Sequence, residues 1–193
     1  MLHRIREMLR IKQSPLLKGT IEADETFIGG KNKNRHESKK VKESQGRSVK
    51  DKTPVFGLLN DGSVNTEVVK DTKADTLKSI IKSMVEKGAI LVTDEWNGYN
   101  GLKNDYNHQV IKHNEGKYTK GEFHTNSIEG FWSLLKRGIF GIYHSTSPQH
   151  LKRYCDEFSY RYNTRKIDDS DRFMISLTQV DGRLTYQQLI VKK

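Results

Sequence analysis

The sequence predicts an α/β protein, a mixed central sheet flanked by helices, and three features carry that expectation. Two β-patterned runs flank a tight turn at Asn60-Asp61-Gly62. An amphipathic helical pattern follows them, and a short apolar run, Ala89 to Thr93, comes directly after that helix. A meander followed by helix and then strand implies a mixed rather than a purely antiparallel sheet.

Taken in order, residues 1–18 begin with Leu2, Ile5, Met8 and Leu9 at three- and four-residue steps, a short basic amphipathic helix read as a linker or the remnant of an upstream region. From Gly19 the pattern changes. Ile21 and Ala23, then Phe27 and Ile28, stand beside polar residues and close on Gly29-Gly30, which reads as a strand. Thr53 to Leu59 and Ser63 to Val69 form the hairpin around Asn60-Asp61-Gly62, giving three antiparallel strands. Leu77, Ile80, Ile81, Met84 and Val85 share one helical face, so a helix is expected from Ala74 to Lys87, ended by Gly88. Ala89 to Thr93 reads as a buried strand that delivers Asp94 at a sheet edge, and Val110-Ile111 as one more strand. A helix entered at His124 to Ile128 continues through Phe131, Trp132, Leu134 and Leu135 to Gly138. The last clear helix starts at Pro148, with Ser147 as its cap, and runs to Tyr162. The main domain is thus expected over 19–166, with 167–193 as a C-terminal extension.

At 193 residues the chain has the length of one domain and a small appendage. Apolar residues make up 34% and charged ones 30%, so the core must be built from a few well-patterned elements. A single cysteine, Cys155, excludes an intramolecular disulfide framework and a cysteine-based zinc finger, leaving oxygen or imidazole ligands for any metal. No apolar run is long enough for a bilayer or a signal peptide, so no membrane partner is expected and the location is read as cytoplasmic.

Charge points to a polyanion. The chain carries 34 Lys and Arg against 24 Asp and Glu, a formal +10. Between Lys31 and Lys52 stand nine bases, Lys31, Lys33, Arg35, Lys39, Lys40, Lys42, Arg47, Lys50 and Lys52, against three acids, a local +6. With few apolar residues this stretch reads as a long basic loop, suited to phosphate contact and alternatively a solvated loop.

Three acids occupy informative places: Asp24 within the first strand, Asp94 at the end of a later apolar strand, and Glu129 in the first turn of a helix. Like charges brought together repel unless a divalent cation neutralises them, and carboxylates suit a hard ion such as Mg²⁺. Each also has a plainer reading. Asp24 can be a surface residue, although an acidic pair with Glu25 is disfavoured in a strand. Asp94 can open the turn Asp94 to Gly98. Glu129 can be the acidic partner of a capping box begun by Asn126.

The segments Ile21-Glu-Ala-Asp-Glu-Thr-Phe-Ile-Gly-Gly30, Val92-Thr-Asp-Glu-Trp-Asn-Gly-Tyr99 and His124-Thr-Asn-Ser-Ile-Glu-Gly-Phe-Trp-Ser-Leu-Leu-Lys-Arg-Gly138, in that order, closely resemble the catalytic domain of ISXO-type insertion-sequence transposases. The resemblance covers about Gly19 to Lys166 and implies a DDE enzyme with an RNase H-like fold, bacterial and nucleoid-associated. It implies that Asp24, Asp94 and Glu129 are the catalytic acids and hold two Mg²⁺ (or Mn²⁺) ions during DNA strand cleavage and strand transfer. Lys136, seven positions after Glu129, matches a basic residue that meets phosphate, and Arg137 follows it. Seven residues make about two helical turns, which puts Lys136 on the face of Glu129. His124 and Asn126 match positions that support the site, and Trp132 reads as core. The implied partners are insertion-sequence ends and target DNA, with a homodimer assembled on them. Full-length members of the family begin with a zinc ribbon and a helical DNA-reading segment, neither of which is recognised in this sequence, and one cysteine cannot make the ribbon. An alternative therefore stands beside the enzyme: a truncated, inactive DNA-binding fragment acting as a competitor or remnant.

Overall fold

The computed structural model describes residues 2–10, 15–29, 36–42, 46–112, 119–120, 123–180 and 185–190. Of the basic residues singled out above, Lys31, Lys33 and Arg35 lie outside the described residues.

The sheet has five strands: β1 (Thr20–Gly29), β2 (Lys52–Asn60), β3 (Ser63–Val68), β4 (Ile90–Thr93) and β5 (Asn107–Val110). Their spatial order is β3-β2-β1-β4-β5. The first three are antiparallel, while β4 runs parallel to β1 and β5 parallel to β4. The expected mixed sheet is therefore observed, hairpin included. At the hairpin tip Asp61 and Gly62 both take positive φ, 48° and 74°, the left-handed pair that a two-residue turn matched to the strand twist requires.

The helices are α1 (Leu2–Met8), α2 (Ala74–Met84), α3 (Asn126–Gly138), α4 (Pro148–Asn163), α5 (Asp169–Thr178) and α6 (Tyr186–Ile190), and a short pair β6 (Thr119–Lys120) and β7 (Phe123–His124) precedes α3. Alternation along β1 and β2 feeds two cores. Ile21, Ala23, Phe56 and Leu58 pack with Leu77 and Ile81 of α2 on one side. Ile28, Val55 and Leu59 pack with Ile128, Phe131, Trp132 and Leu135 of α3 and with Leu151, Cys155 and Phe158 of α4 on the other. A sheet buried on both faces explains how a chain poor in apolar residues still makes a core.

Helix α4 also covers the free edge of β3. The Asn163 side-chain oxygen accepts from the Val64 N–H at 2.7 Å and its amide donates to the Val64 carbonyl at 3.0 Å, closing main-chain groups that would otherwise invite another strand.

Helix α1 is observed where the sequence places a short basic helix, and it packs on α4: buried Arg6 donates from Nε to Glu157 at 2.7 Å, with the two side chains 6% and 8% exposed. Three elements differ from expectation. Helix α2 stops at Met84 because Val85 leaves it to bridge with Leu17. Residues 169–178 form a helix that periodicity did not reveal, since Phe173, Met174 and Leu177 stay exposed; its start is fixed by Asp168, whose carboxylate accepts from the Asp171 N–H. Within the basic loop, Glu37–Lys39 form a helical turn, and Lys40 pairs with Glu37 at 2.5 Å. No helix among the described residues is long and apolar enough to cross a membrane.

Candidate active site

Strand register builds the site. Thr20 pairs with Ile90, Ile21 with Leu91 and Glu22 with Val92, so the same offset brings Asp24 level with Asp94 just beyond the end of β4. An oxygen from each of Asp24, Glu25 and Asp94 lies within 4.8 Å of the others. Three hard oxygen donors at that spacing suit a divalent cation.

Asp24 faces α3. Its Oδ2 accepts from the Trp132 indole N–H at 3.0 Å. Opposite Asp24 in β2 is Gly57, and a Cβ there would meet the Trp132 ring at 2.6 Å. The bare glycine lets the indole lie flat enough on the sheet to reach the carboxylate. Burial, together with the charge of Asp94 and then of Glu129, raises the Asp24 carboxyl from 3.8 to about 7, against the lowering effects of the Trp132 hydrogen bond and Arg47. Asp94 both ends β4 and opens a turn: its Oδ1 accepts from the Trp96 N–H at 3.0 Å, so the two readings of this residue are compatible.

Glu25 points to the opposite face from Asp24 and is closed off from solvent. Its Oε2 accepts from the hydroxyl of fully buried Tyr99 at 2.5 Å. Burial, then the charges of Asp24 and Asp94, hold that phenol well above its usual range. Arg47 of the basic loop completes the cluster. It pairs with Glu25 and, at 3.0 Å, with Asp94 Oδ2, while its guanidinium lies 4.2 Å from the centre of the Trp96 ring. The residue read as a phosphate contact thus meets the acids when no DNA is present.

Glu129 stands in the first turn of α3, exposed, and its Oε1 accepts from the Thr125 hydroxyl at 2.9 Å. It lies outside the three-oxygen group but close enough for its charge to act on Asp24. The capping expectation needs correction. Thr125, not Asn126, is at the cap position, and Asn126 is the exposed first residue of the helix. The N–H groups of Ser127 and Ile128 are accepted by Glu22 Oε2, whose other oxygen is 3.6 Å from His124 Nδ1. Lys136 and Arg137 lie exposed in the last turn of α3. Partial desolvation lowers the Lys136 ammonium, Asp24 acts to raise it, and Lys52 lowers it again, so this lysine is electrostatically part of the site.

The reading of Trp132 as core was half of the truth: it is buried and also holds Asp24. Glu25, Tyr99 and Glu22 were missed. The signal for Glu25 was the disfavoured acidic pair in a strand, while nothing in the linear sequence links Glu22 to a helix more than a hundred residues later.

A model of the ISXO2-like transposase domain matches residues 16–163. The chain belongs to this family. A relative of this transposase domain, an uncharacterized protein in transposable element ISH50 of Halobacterium salinarum, is 25% identical over 170 residues. That match covers 82% of this chain and 58% of the relative, so the transposase domain spans less than two thirds of the relative's length. Among solved structures, the catalytic core of BIV integrase matches with 11% identity and a TM-score of 0.47, over 83% of this chain and 95% of its own. The HTLV-2 integrase catalytic core, solved in complex with magnesium, matches with 11% identity and a TM-score of 0.44, over 85% and 99%. A chain of a Mos1 pre-cleavage transpososome matches with 13% identity and a TM-score of 0.41, over 94% and 63%. The expected fold class, a mixed central sheet flanked by helices, is that of this transposase domain.

Proposed function

We propose that this transposase domain cuts and joins DNA with a divalent cation held by Asp24, Asp94 and Glu129, in the transposition of an insertion sequence. The observation that carries the reading is the convergence of Asp24 and Asp94 from adjacent parallel strands, with Asp24 raised to about 7 by burial and by its acidic neighbours. Arg47 offsets part of this crowded negative charge, and a bound divalent cation would offset the rest. Bound Mg²⁺, as one or two ions, would supply an activated water or 3′-hydroxyl and neutralise the leaving oxygen of a phosphodiester.

The chain's own residues do the rest. Trp132 orients Asp24, and the Trp96 N–H orients Asp94. In the cutting step a water oxygen bonds to phosphorus and the bond to the 3′-oxygen breaks, leaving a 3′-hydroxyl and a 5′-phosphate. In joining, that 3′-oxygen bonds to a target phosphorus as another 3′-oxygen leaves, so no further energy source is required. Lys136, whose ammonium feels the charge of Asp24, is suited to a phosphate of the DNA end, with Arg137 and the loop bases Lys31, Lys33, Arg35, Lys39, Lys40 and Lys42 along the backbone. Arg47 would join them if a bound cation took its place at Asp94. A pair of such chains on the two DNA ends is part of the proposal.

The test is nicking of supercoiled plasmid with Mg²⁺ or Mn²⁺. The parent is expected to nick, Asp24→Asn and Asp94→Asn to lose activity, and Glu129→Gln to lose it at unchanged melting temperature. Glu129→Gln nicking like the parent while Asp24→Asn does not would remove Glu129 from the ligand set.

A further inference from the structure

Helix α3 carries Glu129 and Lys136 but does not cap itself. Thr125 occupies the cap position, and its hydroxyl donates to the Glu129 carboxylate. The donors of that turn are accepted from outside the helix: Glu22 Oε2 takes the N–H of Ser127 at 3.1 Å and that of Ile128 at 3.0 Å. Glu22 is 8% exposed and shares a face of β1 with Asp24, two residues on.

We infer that Glu22 is a positioning residue, whose carboxylate ties the first turn of α3 to β1 and so fixes Glu129 beside Asp24. A buried carboxylate finds its best partner in the positive end of a helix, and here one oxygen receives two converging N–H groups. The geometry of that fork specifies both height and rotation. A slip of one residue along α3 would turn Glu129 by about 100° and carry it away from Asp24. Stability alone gives no reason for a distant anchor, because a serine or aspartate at position 125 would accept the same donors locally. Placing the acceptor on β1 instead couples the helix to the strand that carries the first aspartate. His124, 3.6 Å from the other oxygen of Glu22, fits this scheme as a neighbour of the anchor rather than of the acids. The inference rests on the proposed role of Glu129 as a ligand.

The experiment is a double-mutant cycle read by Mn²⁺ titration calorimetry on the whole chain, with melting curves for every variant. Glu22→Ala is expected to weaken Mn²⁺ binding by about tenfold or more, the usual size for a residue that orients a ligand. Glu22→Gln, which keeps an oxygen acceptor, should recover much of the loss. In a Glu129→Gln background, Glu22→Ala should cost nothing further, since both changes remove the same ligand. If Glu22→Ala does not fold, the cycle is run with Glu22→Met, which fills similar space without an oxygen acceptor. Lowered melting temperature with parental Mn²⁺ affinity would overturn the inference, as would effects that simply add. Glu129→Gln leaving both Mn²⁺ affinity and nicking at parental values would instead overturn the ligand reading and the inference with it.

Discussion

Two carboxylate clusters in this domain are drawn out of water and treated in opposite ways. Around Glu157, where α1 docks on α4, cations are in excess: Arg6 at 2.7 Å, Arg161 at 2.9 Å and the Tyr143 hydroxyl at 3.1 Å surround one carboxylate. At the ends of β1 and β4, Asp24, Glu25 and Asp94 crowd together, with Glu129 nearby and Arg47 as the neutralising group. A fully paired carboxylate joins two helices and needs no further cation. A surplus of one sign favours a cation, and here burial first, then the charges of Asp94 and Glu129, raise the Asp24 carboxyl.

The contrast is sharpest in stability. Glu157→Ala leaves Arg6 buried without its partner and should destabilise the fold by about 3–5 kcal/mol, with nicking per folded molecule unchanged. Denaturant melts of the purified variant check it.

Asp24→Asn should act in the reverse direction in metal-free protein. The folded-state carboxyl, at about 7, lies above the 3.8 of an ordinary aspartate, so between those values the folded chain keeps a proton that the unfolded chain has lost. Stability therefore falls as pH rises from about 4 to about 7, with the full loss present above that range. Three units correspond to roughly 4 kcal/mol as an upper figure. Asparagine still accepts from Trp132, so Asp24→Asn should be stabilising at pH 8 by up to that amount and close to neutral at pH 4. Destabilisation at pH 8 would erase the contrast between the clusters.

Smaller effects come from the basic groups. Arg47→Ala removes a partly exposed competitor for Asp94 and should tighten Mn²⁺ binding up to about fivefold, the equivalent of about 1 kcal/mol. Smallest is Lys136→Ala, which should reduce the salt slope of DNA affinity by about one, against a larger flattening when six loop bases are neutralised together.

The parts legible in the sequence were those with local causes. Strand alternation, the Asp61-Gly62 turn and the stripe of α2 each express backbone geometry within a few residues, and the fold class followed from their order. Asp24 and Asp94 were legible because a polar residue interrupting or ending an apolar strand is conspicuous. Glu22 was not, since an acid two residues away on a strand looks the same whether it faces solvent or a helix end, and the acidic pair marked Glu25 as unusual without showing that it meets a buried phenol. Only the packing of α3 and of Tyr99 distinguishes them. Arg47 was legible as charge but not as a partner of the acids, because the loop's return to the site is a tertiary fact. Helix α5 escaped because its apolar residues are left exposed rather than gathered into a buried stripe.

Crystals grown with Mn²⁺ and measured for its anomalous signal test whether the crowded acids hold a divalent cation. A Mn²⁺ peak is expected between Asp24 and Asp94, with Glu129 turned toward it and Arg47 displaced from Asp94. No peak at that position in crystals saturated with millimolar Mn²⁺, with Arg47 still paired to Asp94, would contradict it.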